Sequence, residues 1–541
     1  MRLAIACLLL PLTLAAQSKA EDTATVSGTV TNALTGEPLR RALVTLRRTV
    51  IARNATTISG AGSAYTDATG RFTIKGIEPG DYRMSAERSG FLTQGYGSRT
   101  PLGSGALLTF SAGQKMEGVS LHLSPHGVIT GRVLEDDGEP AVEAAVQILR
   151  QQYTNGKKQL TAANSALTND LGEYRIFGIK PGRYWVLAHA RTVPNNPEED
   201  EYVTTFFPRT TDPTAATPVE VTPGAQVRNI DLALRRMHTV SVRGRVLSEL
   251  EAATTGANSR CTVVLAPVSN VATGGASRSN ACSADGTFEI KSVLPGAYTL
   301  NAFSVGAQQN LAARVPVQVG SANVDNLSIT IRRGVPISGN VTVDGDVPLD
   351  TKRIGLLLPP FDPEGLVLSA PPSPRLKEDG SFEANDVRPE RYRVTLSNLP
   401  EGWYIKSIRS GQADVLLDGL EITGASPSPI EVVLSPHAAR VSGVVTGTKS
   451  QKPVPAAMVV LVPEDKARVG NSLYYRNILT DASGRYTFID IPPGDYRVYA
   501  WDEVEVGAWV DPDFLKGFEG EKVSLDENAQ VNLQLKLDIV E

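Results

Sequence analysis

Residues Thr480–Val498 read TDASGRYTFIDIPPGDYRV, and the same grammar returns as TDATGRFTIKGIEPGDYRM from Thr66, TNDLGEYRIFGIKPGRYWV from Thr168, SADGTFEIKSVLPGAYTL from Ser283 and EDGSFEANDVRPERYRV from Glu378. Each copy closes a polar turn on a glycine (Gly70, Gly172, Gly286, Gly380 or Gly484) and then alternates apolar with polar residues. The alternation puts Tyr486 and Phe488 on one face and Arg485 and Thr487 on the other, the signature of a half-buried strand. Glycine suits such a hairpin end because it takes positive φ without a Cβ clash. A second turn follows at Pro79-Gly80, Pro181-Gly182, Pro295-Gly296 and Pro493-Gly494, which suits a type II turn with glycine in its left-handed position; the fourth copy has Pro389-Glu390 instead. Two residues beyond stands a tyrosine, Tyr82, Tyr184, Tyr298, Tyr392 or Tyr496, expected to sit in a core near a sheet corner with its hydroxyl tied to nearby backbone.

Working outward, each centre is preceded by a strand with an internal glycine: Gly28, Gly131, Gly244, Gly339 or Gly443. From that glycine to the tyrosine is 54, 53, 54, 53 and 53 residues, so one domain type is repeated. Glycine inside a strand marks a bulge or a close backbone approach. A turn and second strand follow, clearest in ALTGEPLRRALVTLRR and TKSQKPVPAAMVVLVP, and each repeat ends on a strand such as VSLHLSP or VNLQLKL. The pattern predicts an all-β chain of five tandem seven-stranded antiparallel β-sandwiches, immunoglobulin-like or prealbumin-like, at 21–124, 125–236, 237–333, 334–435 and 436–541. The short links between repeats predict an elongated rod, with a radius of gyration of about 35 to 48 Å against about 24 Å for a single globule.

Leu3 to Leu14 form a short apolar run after Arg2, followed by small residues, which predicts a secretory signal peptide at 1–20 and an exported chain. No later stretch is apolar enough for a membrane span. The net charge of −5 is spread along the chain and argues against a nucleic-acid partner or an anionic membrane surface. Cys261 and Cys282, both in the third repeat, are expected to form a disulfide after export.

The pattern of G-x-V, a D/N-x-x-G-x-F/Y turn and P-G-x-Y resembles the carboxypeptidase regulatory-like domain, in tandem over essentially the whole mature chain. That resemblance implies a transthyretin-like sandwich. Its starch-binding-like and adhesin-type relatives imply binding of protein or carbohydrate. The peptidase that gives the family its name has a separate zinc domain with an H-x-x-E motif, and no histidine here is followed by glutamate at that spacing. Catalytic motifs of the common classes are absent too, so neither enzyme activity, metal nor cofactor is expected. The first strands lack the lysine that adhesin-type sandwiches use for an internal isopeptide bond.

Two constellations remain. Asp67, Asp170, Asp285, Asp379 and Asp481 recur at the turn, but one or two carboxylates per turn fall short of the six to eight oxygens calcium takes. Alternation from the corner tyrosines places Trp185, and the pair Tyr499 and Trp501, on an outer face where flat rings could stack on sugars. The expected function is therefore an exported, non-enzymatic scaffold or spacer for protein interactions at the cell surface or in the periplasm, monomeric by expectation. The alternative is a carbohydrate-binding array; a regulatory subunit of a separate peptidase or transporter is a third reading.

Overall fold

The structure is a computed structural model describing residues 23–52, 55–98, 105–154, 156–190, 200–248, 260–268, 277–305, 310–361 and 373–538. The signal-peptide expectation falls on residues outside these. Among the described residues strands dominate, and the buried apolar side chains gather in five principal cores within 24–123, 129–234, 240–331, 335–434 and 439–537, called modules 1 to 5 below. Multiple β-sandwich modules follow one another along the chain.

In each module the glycine-bearing first strand pairs antiparallel with the strand after the polar turn, as Gly443 opposite Tyr486 and Gly28 opposite Phe72 show. On its other side it runs parallel to the module's last strand, which corrects the fully antiparallel expectation: Ala24–Asn32 pairs with Lys115–Leu123 and Val335–Val343 with Ile430–Ser435 in this sense. The glycine now has a cause. A Cβ on Gly443 would stand 1.9 Å from the Leu533 carbonyl oxygen and one on Gly28 2.1 Å from that of Val119, so the last strand can approach only a residue without a side chain. In modules 2 and 5 a tyrosine hydroxyl donates to the same carbonyl, Tyr174 to Ile230 at 2.6 Å and Tyr486 to Leu533 at 2.7 Å.

Four of the five corner tyrosines behave as expected, and Tyr298 shares their burial without the backbone tie among the described residues. Tyr82, Tyr184, Tyr392 and Tyr496 are buried, and each donates its hydroxyl to the carbonyl four residues earlier, at 2.8 to 3.1 Å. Burial pushes the Tyr496 phenol up to about 12. The Pro-Gly turn differs from type II: Gly80, Gly182 and Gly494 have φ of 149°, 148° and 145°, far from the +80° of that turn. Arg468 explains the residue type at Gly494, since its guanidinium donates to the Pro493 carbonyl at 2.7 Å and fills the space a Cβ would take.

A second recurrent contact ties the turn to the entry of the second strand. Thr480 is fully buried; its hydroxyl accepts from the Ala457 amide at 2.9 Å and donates to the Val454 carbonyl at 2.6 Å. Thr66 does the same with Ala42 and Leu39, and Thr168 with Ala144 and Ala141. The equivalent positions in module 3 are Cys282 and Cys261, joined as a disulfide with Cα atoms 5.2 Å apart. The backbone contact persists beneath it, Cys282 N to Cys261 O at 3.0 Å, as does Thr480 N to Ala457 O at 2.9 Å. In module 4 the same positions are Leu376 and Ile354, both buried in its core. Module 3 departs further, because its two sheets join through Leu311 opposite Arg333 into one of seven strands.

The modules do not continue as a rod. Module 5 returns to the start of the chain: the Ala482 amide donates to the Leu107 carbonyl at 3.2 Å, Pro455 lies against Gly97, and the Phe514 ring meets Tyr153 of module 2 edge-on at 6.0 Å. Surface positions that carry no sequence signature make these contacts, which is why the links alone pointed to an extended shape.

Candidate functional site

Tyr499 and Trp501 lie on the outer face of their sheet, as alternation placed them, but the chain covers that face. The strand Gly494–Trp501 continues into two short helical turns, Ala508–Val510 and Pro512–Leu515, whose Trp509 and Phe514 pack onto it. Asp511 fixes the second turn by accepting from the Asp513 amide at 2.9 Å. Tyr499 and Trp501 stack at 5.2 Å with planes 5° apart, Phe518 closes on Trp501 edge-on at 5.5 Å, and the pair is only 7% and 6% exposed. Neither ring offers a free face to a sugar, which corrects the expectation of exposed stacking platforms. A cavity of about 350 Å³ remains beside them, lined among others by Tyr475, Tyr499, Val510 and the ion pair Arg497–Glu464 at 2.7 Å.

Trp185 keeps part of its surface. It flanks a small cluster of Leu149, Leu187 and Phe206 formed where the tail strand Thr205–Phe206 pairs with the sheet at Leu187 and Ala188. His189 follows on this strand; burial holds its imidazole below the usual range, and its Nδ1 has no hydrogen-bond partner.

The acidic turns spend their oxygens on the backbone. Asp67 Oδ1 accepts from the Thr69 amide at 2.8 Å and the Arg71 amide at 2.9 Å, and the Arg71 contact chiefly holds its carboxyl below the usual range. Asp481 repeats this with Ser483 and Arg485. In module 2 the residue is Asn169, bound to Leu171 and Glu173, rather than Asp170. Asp285 and Asp379 instead receive the amide and hydroxyl of Thr287 and Ser381. Among the described residues no cluster of three or more metal-type side chains forms.

A polar network joins modules 4 and 5, and sequence reading missed it because its members lie far apart in the chain. Lys406 Nζ bridges Asp344 and Glu527, the latter at 3.1 Å, and Tyr404 donates to Glu527 at 2.8 Å. Nearby, the Gly402 amide donates to Asp490 at 2.7 Å, Arg440 pairs with Glu401 at 2.8 Å, and Asn471 donates to the Leu416 carbonyl at 3.0 Å. Lysine beside two carboxylates resembles the makings of an isopeptide, but amide formation needs a neutral amine and a protonated acid. Here the Asp344 contact drives the Lys406 ammonium upward, Lys406 holds Asp344 down, and Tyr404 and Lys406 hold Glu527 down. The electrostatics favour a salt bridge.

Two stretches, 25–112 and 440–536, are carboxypeptidase regulatory-like domains by match to that family's model. No curated protein matches the chain. Similar solved structures include a Streptococcal ancillary pilin, at 10% identity over 57% of this chain and 99% of that one with a TM-score of 0.20. The Bacillus anthracis TIE protein follows at 10% identity, 97% and 76% coverage and a TM-score of 0.15, and BcpA, the major pilin subunit of Bacillus cereus, at 12%, 76% and 99%, and 0.17. Among the described residues no helix is long and apolar enough to cross a membrane.

Proposed function

We propose that this chain is an exported, non-enzymatic scaffold of five tandem seven-stranded sandwiches, at 21–124, 125–236, 237–333, 334–435 and 436–541, that holds interaction surfaces in fixed relation at the cell surface or in the periplasm. The observation that supports it is the return of module 5 onto modules 1 and 2 while the Lys406 network holds it to module 4. Such an arrangement displays many loops on a closed frame. Cell fractionation with protease treatment of whole cells tests it: the chain should appear in the exported fraction, and retention in the cytoplasm would overturn the reading. Small-angle scattering gives a second check, since a closed frame should fall well below the roughly 48 Å of five modules in a straight row.

A second reading, carbohydrate binding, keeps one supporting residue, Trp185, whose ring is partly open beside Leu149 and Phe206. Titration with soluble polysaccharide should then show binding that Trp185→Ala weakens; binding indifferent to that substitution excludes this ring as the platform.

A further inference from the structure

We propose that the strand Lys157–Leu167 of module 2 is a self-association edge that pairs antiparallel with the same strand of a second copy of the chain. This strand ends its sheet: it pairs with Ala145–Thr154 on one side, and among the described residues no backbone partner lies along the other. It is eleven residues long and largely exposed, and from Gln159 to Leu167 it carries no charge and no proline. Exposed edges of that kind template pairing unless they are shortened, charged or covered. The corresponding edges of modules 3 and 5 are blunted. Arg278–Ala281 is four residues long and its Arg278 is paired to Glu201, while Arg476–Leu479 is equally short and its Arg476 donates to the Leu473 and Tyr475 carbonyls at 2.8 Å. Module 5 touches this module 2 hairpin at its turn, where Val510 lies against Gly156, and within module 2 the Asn164 side-chain amide donates to the Phe177 carbonyl at 2.8 Å.

The charges choose the occupant. Lys157 and Lys158 are the only charged residues of the strand and sit together at one end. Pairing with a parallel copy would set like charges directly opposite each other, which is destabilising. An antiparallel copy centred on Ala162 sends the lysines to opposite ends and puts Lys157 opposite Leu167. That end of the module is where Leu167, Leu171 and Val142 stand 64%, 56% and 52% exposed. The aliphatic stem of each lysine then covers apolar surface of the other copy while its ammonium stays in water. The ladder to Ala145–Thr154 shifts at Ala163, between the partners of Ile148 and Leu149, so the new pairing runs in two short stretches about its axis. It should therefore be a reversible dimer rather than a tight one. This goes beyond the scaffold reading and replaces the expectation of a monomer.

Sedimentation equilibrium of the full mature chain, from about 5 to 200 µM and thus across the range of weak interfaces, tests the pairing. The expected result is a mass that doubles with concentration and that Ala162→Lys returns to the monomer with an unchanged melting profile. Disulfide trapping keeps the test independent of that substitution. Ala162→Cys, next to its own copy at the axis, should cross-link under mild oxidation, whereas Lys157→Cys, about 34 Å from its copy, should not. A monomer throughout the range, a dimer indifferent to Ala162→Lys, or cross-linking through Lys157→Cys overturns the proposal. Open-ended polymers overturn it too, since they would mean pairing with a different strand, such as the eleven-residue edge Ala55–Tyr65 of module 1.

Discussion

Modules 3 and 5 share one fold and are held in different ways. Module 3 is fastened from within, where the Cys261–Cys282 disulfide occupies the place at which module 5 has Ala457 and Thr480. Module 5 has the hydrogen-bonded version but is also gripped from outside by Glu527 on Lys406, Asp490 under Gly402 and the docking onto modules 1 and 2. Module 4, with Leu376 and Ile354 at the same place, shows that apolar packing also fills it. One pair of positions thus accepts a covalent bond, a pair of hydrogen bonds or a hydrophobic contact. The geometry it must satisfy is the junction of a turn with a strand entry, and the chemistry is free to vary.

The largest effect should come from removing the covalent version. The disulfide closes a loop with a sequence separation of 21, for which chain entropy gives about 3 kcal/mol. Reduction, or Cys261→Ala with Cys282→Ala, should lower the melting of module 3 by that order, and denatured unreduced protein should show no thiol from this pair. A sharper version installs the other chemistry: Cys261→Ala with Cys282→Thr copies Ala457 and Thr480 and should recover about 1 kcal/mol relative to the double alanine variant, the usual net worth of a buried hydrogen bond. No recovery would mean that the hydroxyl works only within the surroundings of modules 1, 2 and 5.

Next comes Thr480→Val. The valine keeps the shape but leaves the Ala457 amide without its hydroxyl acceptor and the Val454 carbonyl without its donor, in a place with no access to water. Unpaired buried groups cost about 1 to 3 kcal/mol, so module 5 should lose about 2 kcal/mol by thermal or denaturant unfolding. A loss below a few tenths would show that its neighbours, and not this contact, hold the module.

Much of the internal scheme was legible in the sequence. Fixed spacing from glycine to tyrosine announced the repeat, and alternation put Tyr499 and Trp501 on the outer face where they are found. Local patterns carry that kind of information because one residue's φ or one side chain's direction decides them. Long-range packing wrote no such pattern. Nothing in Gly507–Phe518 marks it as the cover of Trp501, and Ala482 and Leu107 are ordinary surface residues until two modules meet. The bulge position in the strand after the turn was hidden differently: it takes positive φ in Gly76, Gly178, Ser292, Asp386 and Asp490, and three residue types conceal one backbone requirement. At Asp386 and Asp490 the side chain also receives an amide from outside its strand, Gly334 at 3.0 Å and Gly402 at 2.7 Å, so the bulge doubles as an anchor for the incoming chain.

The smallest expected effect lies in the external grip on module 5, and pH reveals it. Asp344 is held below its usual value chiefly by its contact with Lys406, and Glu527 chiefly by Tyr404 and then Lys406. A carboxyl whose value is lowered by folding contributes in full above its unfolded value, about 4, and its contribution is lost as pH falls through the lower folded value. Lys406, raised chiefly by Asp344, contributes below about 10.4 and loses its contribution only as pH rises through the higher folded value. The grip should therefore be constant across neutral pH and fail in acid, while the Thr480 contact, which carries no titrating group, persists. Hydrogen exchange resolves the two: below about pH 4 protection at Gly402 and Asn528, the amides of the junction, should fall relative to protection at Ala457 in the same sample. The network is exposed, so salt should weaken it as acid does, and Lys406→Met should show the acid behaviour already at neutral pH. If Gly402 and Asn528 keep their protection in Lys406→Met at every pH, the bond from the Gly402 amide to the Asp490 carboxylate and that from the Asn528 amide to the His437 carbonyl hold the junction by themselves, and module 5 does not depend on Lys406.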